Sequence, residues 1–426
     1  MDTQAIALCH LQSQASLLLY QSVLANEVGQ SFLNLLQALS HSNDQLSCIK
    51  AYSNYFRALA ATNQSWQDYL ISQILTDDNP FTRQAQQTDL VKLPPALVAA
   101  AKQDLQVLHH LYQIDSEQLC QWVQVGAKLN QPPVAWNVES RTYELALHET
   151  PPPENWLNVE ELAAYYRKFG TGIFAKYKAL RWQSGQLVGI THPDPVELNQ
   201  LVGYEYQQDA LVKNTEFLLA GYRALHVLLY GSRGSGKSSL VKGLLNEYGN
   251  RNLRLIEVAK SDLRDLSTIV EQLRGLPQKF IIFVDDLSFE EDDDAFKALK
   301  VVLEGNLTAR PQNVVVYATS NRRHLIREFF GDRPHPSNNE EVHAGDTVQE
   351  KLSFSDRFGL TLTFEPANQN TYLQIVHHLA TQAGITLSKQ DLDYRALQWA
   401  TRHNGRSGRT ARQFIDFLQA DVRGEG

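Results

Sequence analysis

The sequence predicts an α/β protein with a parallel-sheet core at residues 196–366, a mainly helical N-terminal domain at 1–130 and a helical lid at 367–426. The core is predicted because short apolar runs, rich in β-branched residues, alternate with amphipathic segments, as buried parallel strands alternate with helices. These runs are HVLLY (226–230), LRLIEV (253–258), FIIFVDD (280–286), NVVVYAT (313–319) and LTLTF (360–364). The flanking regions instead show helical periodicity.

The N-terminal region contains helical apolar spacing, as in SQASLLLYQSVL, with frequent glutamine and little glycine. This pattern predicts a helical bundle. Proline clusters at 132–133 and 151–153 then interrupt packed helices. Residues 131–195 are therefore predicted to form a linker or a small irregular module, in which VEELAAYYRKFGTGIFAKYKALRW provides a helix and an extended aromatic-rich stretch.

The lid is predicted because the pattern after Pro366 is helical to the end of the sequence. Helix starts are expected at Asn370, Ser388 and Ser407, since these residue types favour helix N-termini. Ser388 is followed three positions later by Asp391, which has the form of a capping box.

The composition is that of a globular protein: 426 residues, 43% hydrophobic and 20% charged, enough for two or three domains. The net charge of −8 argues against a protein whose whole surface binds nucleic acid. No apolar run approaches the ~20 residues that span a bilayer, and the first residues lack the basic start of a signal peptide. Three distant cysteines, Cys9, Cys48 and Cys120, fit reduced thiols in a cytoplasmic protein.

A glycine-rich segment, GSRGSGKS, lies between the predicted strand HVLLY and a predicted helix. Gly, four residues, Gly-Lys and Ser is the spacing of a phosphate-binding loop, in which backbone N–H groups and a helix N-terminus face the phosphates. This context predicts that Lys237 contacts the β- and γ-phosphates of ATP and that Ser238 ligates Mg²⁺. A glycine-rich turn with a solvent-exposed lysine is the alternative. The predicted nucleotide-binding residues of the loop are Gly231, Ser232, Arg233, Gly234, Ser235, Gly236, Lys237, Ser238 and Ser239.

Polar residues follow two further predicted strands. Asp285 and Asp286 end FIIFVDD, at the strand edge where open α/β sheets bind ligands. Asp285 is predicted to hold Mg²⁺, and Asp286 to orient or deprotonate the attacking water. Asn321 follows the next strand and is expected near the γ-phosphate or the water. The alternatives are a helix cap for the two acids and a simple turn for Asn321.

In this order the residues resemble those of AAA+ ATPases, from about residue 200 to the end of the sequence. Gly231–Ser238 resembles Walker A, Asp285–Asp286 resembles Walker B, and Asn321 resembles the sensor-1 residue. Arg357, in EKLSFSDRFGL, stands where many AAA+ ATPases carry an arginine finger. Arg409, in GRSGRTARQFIDFL, matches the lid arginine called sensor 2.

The resemblance also implies an adenine pocket beside Gly203 and Tyr204, in LVGYEYQQ. More narrowly, YATSNRRHLIREFF, SFSDRFGLTLTF and SGRTARQF look like an uncharacterised bacterial family of AAA+ ATPases grouped among domains of unknown function. Such a resemblance implies ATP and Mg²⁺ as cofactors, and catalytic roles for the matched residues. These are Asp286, Asn321, Arg357 and Arg409.

The sequence departs from the AAA+ pattern at its second acid. Walker B usually ends Asp-Glu, whereas here it ends Asp-Asp, whose shorter carboxylate favours slow hydrolysis. Arg322, Arg323 and Arg357 are all candidates to face a neighbouring subunit's nucleotide, and the order of motifs favours Arg357. For Arg322 and Arg323, surface or interface salt bridges fit equally well.

The leading functional prediction is an oligomeric ATPase that remodels a protein partner, with the N-terminal domain recognising that partner. A homo-oligomer is expected because an arginine finger acts on a neighbouring subunit. The second prediction is an ATP-gated binding switch with little hydrolysis. A DNA-associated, initiator- or loader-like ATPase is disfavoured by the acidic net charge and by the lack of a helix-turn-helix or zinc module, although RHNGRSGRTAR is basic. A small-molecule kinase fits least well, and no membrane association is expected.

Overall fold

The computed structural model describes residues 17–40, 44–138, 155–288, 294–304, 309–321, 357–403 and 405–424. The chain divides into two compact units, Met1–Lys176 with Leu276–Gln278, and Tyr177–Gly275 with Lys279–Gly426. Across the described ranges, no helix combines the length and the apolar character that crossing a membrane requires.

The first unit is helical, as predicted. Its helices are α1 Glu27–Ser40, α2 Gln45–Thr62, α3 Trp66–Thr76, α4 Pro80–Ala85, α5 Pro95–Tyr112, α6 Ser116–Gly126, α7 Val159–Phe169 and α8 Gly172–Lys176. Several of their N-termini are capped by side chains such as Ser65, which accepts a hydrogen bond from the Asp68 N–H. The core is apolar and rich in aromatic residues, with Phe32 stacked on Trp66 at a ring-centroid distance of 3.9 Å.

The second unit contains a seven-stranded sheet, which confirms the predicted α/β fold. Its strands are β1 Ala179–Gln183, β2 Gln186–Ile190, β3 Val227–Gly231, β4 Leu253–Glu257, β5 Lys279–Val284, β6 Val314–Ser320 and β7 Leu360–Phe364. The strand order is β2-β1-β4-β5-β6-β3-β7, and every neighbouring pair is parallel except β1 with β2. The five predicted strands correspond to β3–β7.

The segment 131–195, assigned from sequence to a linker or small irregular module, contains regular structure. Helix α7 belongs to the first unit, while β1 and β2 join the sheet of the second. The two strands form a hairpin because Ser184 and Gly185 both adopt positive φ, at 51° and 80°, as a type I′ turn requires. Its core face is fixed by Leu180 and Trp182, which are buried.

The helices of the second unit flank the sheet and form the lid. They are α9 Glu205–Leu219, α10 Lys237–Tyr248, α11 Leu266–Leu273, α12 Asp294–Glu304, α13 Gln369–Gln382, α14 Lys389–Arg402 and α15 Gly408–Gly424. The last three form a lid with its own apolar core. Helix α13 begins one residue before the predicted start at Asn370, because Asn368 is its N-cap. Ser388 caps α14, and Ser407 directly precedes α15.

Five short 3-10 helices complete the described secondary structure, at Gln21–Leu24, Leu90–Lys92, Leu198–Gln200, Gly249–Arg251 and Lys260–Asp265. The sheet topology positions the candidate site. Strand β6 lies between β5 and β3, and all three run parallel. Their carboxyl ends therefore meet at one edge of the sheet, with the residues after β6 between those after β3 and β5.

Candidate functional site

The glycine-rich loop connects β3 to α10. Gly231, with φ of +139°, ends β3, and a Cβ there would lie 2.0 Å from the carbonyl oxygen of Phe364 in β7. The Ser232 N–H donates to that same oxygen at 2.9 Å. Gly236, with φ of +91°, immediately precedes the helix. Glycine is required at both positions, since other residues rarely adopt such φ values.

Lys237 is the first residue of α10, and its side chain folds back into the loop. Its Nζ donates to the carbonyl oxygens of Gly231 at 3.1 Å and Ser232 at 2.7 Å, and to Asn321 Oδ1 at 3.4 Å. Burial lowers the pKa of the Lys237 ammonium, while the nearby carboxylates of Asp285 and Asp286 raise it. The predicted exposed-lysine alternative is wrong, because this residue is only 6% exposed.

Asp285 directly follows β5 and accepts three hydrogen bonds on a single oxygen. Its Oδ1 accepts from Ser238 Oγ at 2.7 Å, from Thr319 Oγ1 at 2.5 Å and from the Asp286 N–H at 3.1 Å. Thr319 lies in β6 and is 2% exposed. A hydroxyl and a carboxylate side by side form a set of hard oxygen ligands of the kind that Mg²⁺ prefers.

Asp286 and Asn321 form a second pair at the same sheet edge. Asn321 Nδ2 donates to Asp286 Oδ1 at 2.6 Å. Asp286 has a φ of +50°, in the left-handed region that Asp tolerates better than most residues, and its N–H donates to Thr319 Oγ1 at 2.9 Å. The turn after β5 therefore aims the two carboxylates at different partners: Asp285 at Ser238 and Asp286 at Asn321.

These side chains border a cavity of about 960 Å³. Most predicted site residues line it, namely Tyr204, Arg233, Gly234, Ser235, Gly236, Lys237, Ser238, Ser239, Asp285, Asp286, Asn321 and Arg409. Ser232 and Gly203 adjoin lining residues in sequence, and Gly231 lies two positions before the lining residue Arg233. The lining also includes the apolar residues Leu201, Val202, Ile375 and Leu379. Such a cavity combines polar groups suited to phosphates with apolar side chains suited to a planar base.

The lid closes one side of the cavity. The Arg409 N–H donates to the carbonyl oxygen of Gly234 at 3.1 Å, so the start of α15 rests on the glycine-rich loop. Arg412 follows one helical turn later and also lines the cavity. Sequence reasoning missed Arg412, although its spacing of three from Arg409 places both arginines on one helix face. It likewise left Thr319 out of the predicted site residues, although its position near the end of a strand beside Asn321 was a usable signal.

Arg357 lies away from this cavity. Its guanidinium forms an ion pair with Glu304, at the end of α12, and it is not among the described residues that line the cavity. The structure therefore brings Arg409 to the chain's own site but not Arg357. Arg322 and Arg323 lie outside the described residues.

The residues present fit Mg²⁺-ATP by the chemistry of their donors and by the shape of the loop. The loop positions that approach β7 and open α10 are glycines with positive φ, and a lysine at the first turn supplies a buried cation. Ser238 and Asp285 supply oxygen ligands, and the lid supplies guanidinium groups. Each feature matches a requirement of a magnesium nucleotide.

A protein family described as "Protein of unknown function (DUF815)" matches residues 175–422, more than half of the sequence. Solved structures that match this chain include the RuvB Holliday junction branch migration motor of Thermotoga maritima, which is 14% identical. The match covers 53% of this chain and 72% of that one, with a TM-score of 0.31. A DNA replication initiation factor is 16% identical, with 54% and 65% covered and a TM-score of 0.34. At such scores the fold assignment rests on this chain's own sheet and motifs. No curated protein matches the sequence.

Proposed function

Since the chain belongs to the DUF815 family, whose function is unknown, we propose its function from the geometry of the site. The chain is an AAA+ ATPase that binds and hydrolyses Mg²⁺-ATP at a subunit interface. It uses the energy of hydrolysis to remodel a protein partner. The observation that carries the proposal is the convergence of Lys237, Ser238, Asp285 and Asn321 from three different segments on one cavity.

The side chains divide the work of phosphoryl transfer to water. When ATP binds, the Lys237 ammonium exchanges its hydrogen bonds to the loop carbonyl oxygens for hydrogen bonds to phosphate oxygens. Its positive charge then faces the phosphates. Ser238 and Asp285 hold the Mg²⁺, which when bound neutralises charge on the phosphates. Asp286, held by Asn321, accepts a proton from the attacking water, and Asn321 orients that water. Arg409 brings lid charge to the same region.

The subunit interface is proposed from the position of Arg357. Within one chain it is paired with Glu304 and lies outside the cavity, so it reaches a nucleotide only in a neighbouring copy. The homo-oligomer and the trans role of this arginine are therefore parts of the proposal. The helical N-terminal domain is proposed to recognise the protein partner, and the cytoplasm is the proposed location.

An ATP-gated switch with little hydrolysis is the second candidate, and one observation favours it. The Asp286 carboxylate already accepts a short hydrogen bond from Asn321, and its backbone lies in the left-handed region. A shorter carboxylate held in this way is a weaker acceptor for the proton of water. ATP occupancy would then set the conformation without rapid turnover.

Binding and turnover are tested separately. Fluorescent ATP binding and phosphate release are measured on the full-length chain, on Lys237→Ala and on Lys242→Ala. Lys242 lies on the same helix but pairs with Asp194, so it is the matched control. The proposal expects loss of binding and turnover only in Lys237→Ala. Binding without turnover leaves the switch, and equal binding by all three proteins refutes the nucleotide site.

A further inference from the structure

A second cavity, of about 300 Å³, lies at the amino ends of the parallel strands, whereas the first lies at their carboxyl ends. It is formed by the amino end of β6, by helices α11 and α12, and by His226, which directly precedes β3. Most of its wall is apolar and comes from small branched or cyclic side chains, including Val270, Val301, Pro311 and Val314. Its volume is at the lower end of the range for small-molecule sites.

His226 lines this cavity and carries an unsatisfied hydrogen-bond donor. It is 4% exposed, and its Nδ1 accepts a hydrogen bond from the Val316 N–H at 2.9 Å. Burial lowers the pKa of His226 to about 3, so the ring is neutral at pH 7. With Nδ1 acting as the acceptor, the proton of the neutral ring is on Nε2. This Nε2 is buried and has no hydrogen-bond partner among the described residues, which is costly unless something else accepts from it.

Arg310 brings an uncompensated positive charge. One of its guanidinium nitrogens donates to the Ala224 carbonyl oxygen at 2.7 Å, and burial, together with the nearby positive charge of Arg223, lowers its pKa to about 10. Glu271 is the one carboxylate among the described lining residues, and both its oxygens accept from Arg274, at 2.7 and 2.8 Å. Within the described parts of the chain, no carboxylate lies at ion-pair distance from Arg310.

We propose that this cavity binds a small carboxylic acid with an apolar body, as the carboxylate. One carboxylate oxygen accepts from the Arg310 guanidinium and the other from His226 Nε2, while the apolar body packs against Val270, Val301 and Val314. Two donors of this kind match the two oxygens of a carboxylate, and a cation without a described carboxylate partner attracts its negative charge. The site is separate from the nucleotide cavity and stands whether or not the chain hydrolyses ATP.

Isothermal titration calorimetry with octanoate on the full-length chain tests the proposal, with octanamide as the uncharged probe of the same length. Octanoate is expected to bind at least tenfold more tightly than octanamide, a difference of about 1.4 kcal/mol. Arg310→Gln is expected to remove this preference. Arg395→Gln is the matched control, because Arg395 is an exposed residue of the lid, loses the same charge and does not line the cavity.

Two further measurements keep the test independent of folding defects. Val301 is 42% exposed, and Val301→Trp is expected to fill the cavity from its open side and abolish octanoate binding while the circular dichroism spectrum is unchanged. In nitrogen-15 NMR spectra, the His226 Nε2–H signal is expected to shift on adding octanoate. Absence of binding to the wild-type chain, equal affinity for octanamide, or unchanged binding by Arg310→Gln would each overturn the proposal.

Discussion

Thr319→Val removes the hydroxyl that links the two halves of the candidate site. The Thr319 side chain donates to Asp285 Oδ1 at 2.5 Å and accepts from the Asp286 N–H at 2.9 Å, and it is 2% exposed. Valine has nearly the same shape but can make neither bond. The substitution therefore tests whether this buried hydroxyl sets the direction of both carboxylates.

The magnitude follows from the two bonds. A neutral hydrogen bond contributes about 0.5–1.5 kcal/mol and one to a charged group about 1.5–3 kcal/mol, so their loss is expected to lower the unfolding free energy by roughly 2–4.5 kcal/mol. This loss of stability is measured by hydrogen-exchange mass spectrometry of a peptide spanning 280–288, in which 2 kcal/mol corresponds to roughly thirtyfold faster exchange. The Mg²⁺-dependent part of ATP affinity is expected to fall as well.

Thr361→Val is the matched control, since Thr361 is an exposed residue of the parallel strand β7. It is expected to change stability by no more than about 0.5 kcal/mol. If Thr319→Val exchanges at the same rate as Thr361→Val and binds Mg²⁺-ATP as the wild type does, the hydroxyl does not orient the carboxylates and the account of this site is wrong.

Three further predictions concern other parts of the second unit. Gly231→Ala is expected to lower the unfolding free energy by roughly 3 kcal/mol or more, because the alanine Cβ would clash with the Phe364 carbonyl group at a positive φ. The melting temperature should fall accordingly, and a melting temperature equal to that of the wild type would contradict this prediction. His226 has a folded-state pKa of about 3, below that of the unfolded chain, so the unfolded state binds more protons and stability falls as the pH drops from about 6.5 towards 3. Urea titrations at several pH values give the slope of the unfolding free energy against pH, and His226→Gln is expected to reduce this slope by up to about 1.4 kcal/mol per pH unit. An unchanged slope would refute the contribution of His226. Arg357→Ala is expected to keep ATP binding but lose turnover, and mixing it with Lys237→Ala should restore part of the phosphate release; no restoration contradicts a role in trans.

The core strands and the phosphate-binding loop could be predicted because they depend on local sequence. Buried parallel strands such as β5 are nearly continuous apolar runs, and the loop has fixed spacing between a strand and a helix. The chain order of Lys237, Asp285 and Asn321 also indicated a shared site. In the structure Lys237 contacts Asn321, and Ser238 contacts Asp285, whereas the catalytic roles of these residues stay predictions.

The strand order and the hairpin could not be obtained in the same way. Periodicity does not reveal that β6 lies between β3 and β5, and this order is what brings Thr319 against Asp285. The hairpin β1–β2 was missed because each strand has only five residues and no residue of β2 is fully buried, so the Ser184–Gly185 turn was its clearest signal. The pairing of Arg357 with Glu304 joins distant segments and leaves no local pattern.

The most direct test of the central claim is ATP turnover per chain, measured as phosphate release over a range of protein concentrations, with Lys237→Ala alongside. Specific activity is expected to rise with concentration as subunits assemble, and to disappear in Lys237→Ala. Tight Mg²⁺-ATP binding with no turnover at any concentration would contradict hydrolysis at a subunit interface by the chain alone. Turnover that is unaffected by Lys237→Ala would contradict the site itself.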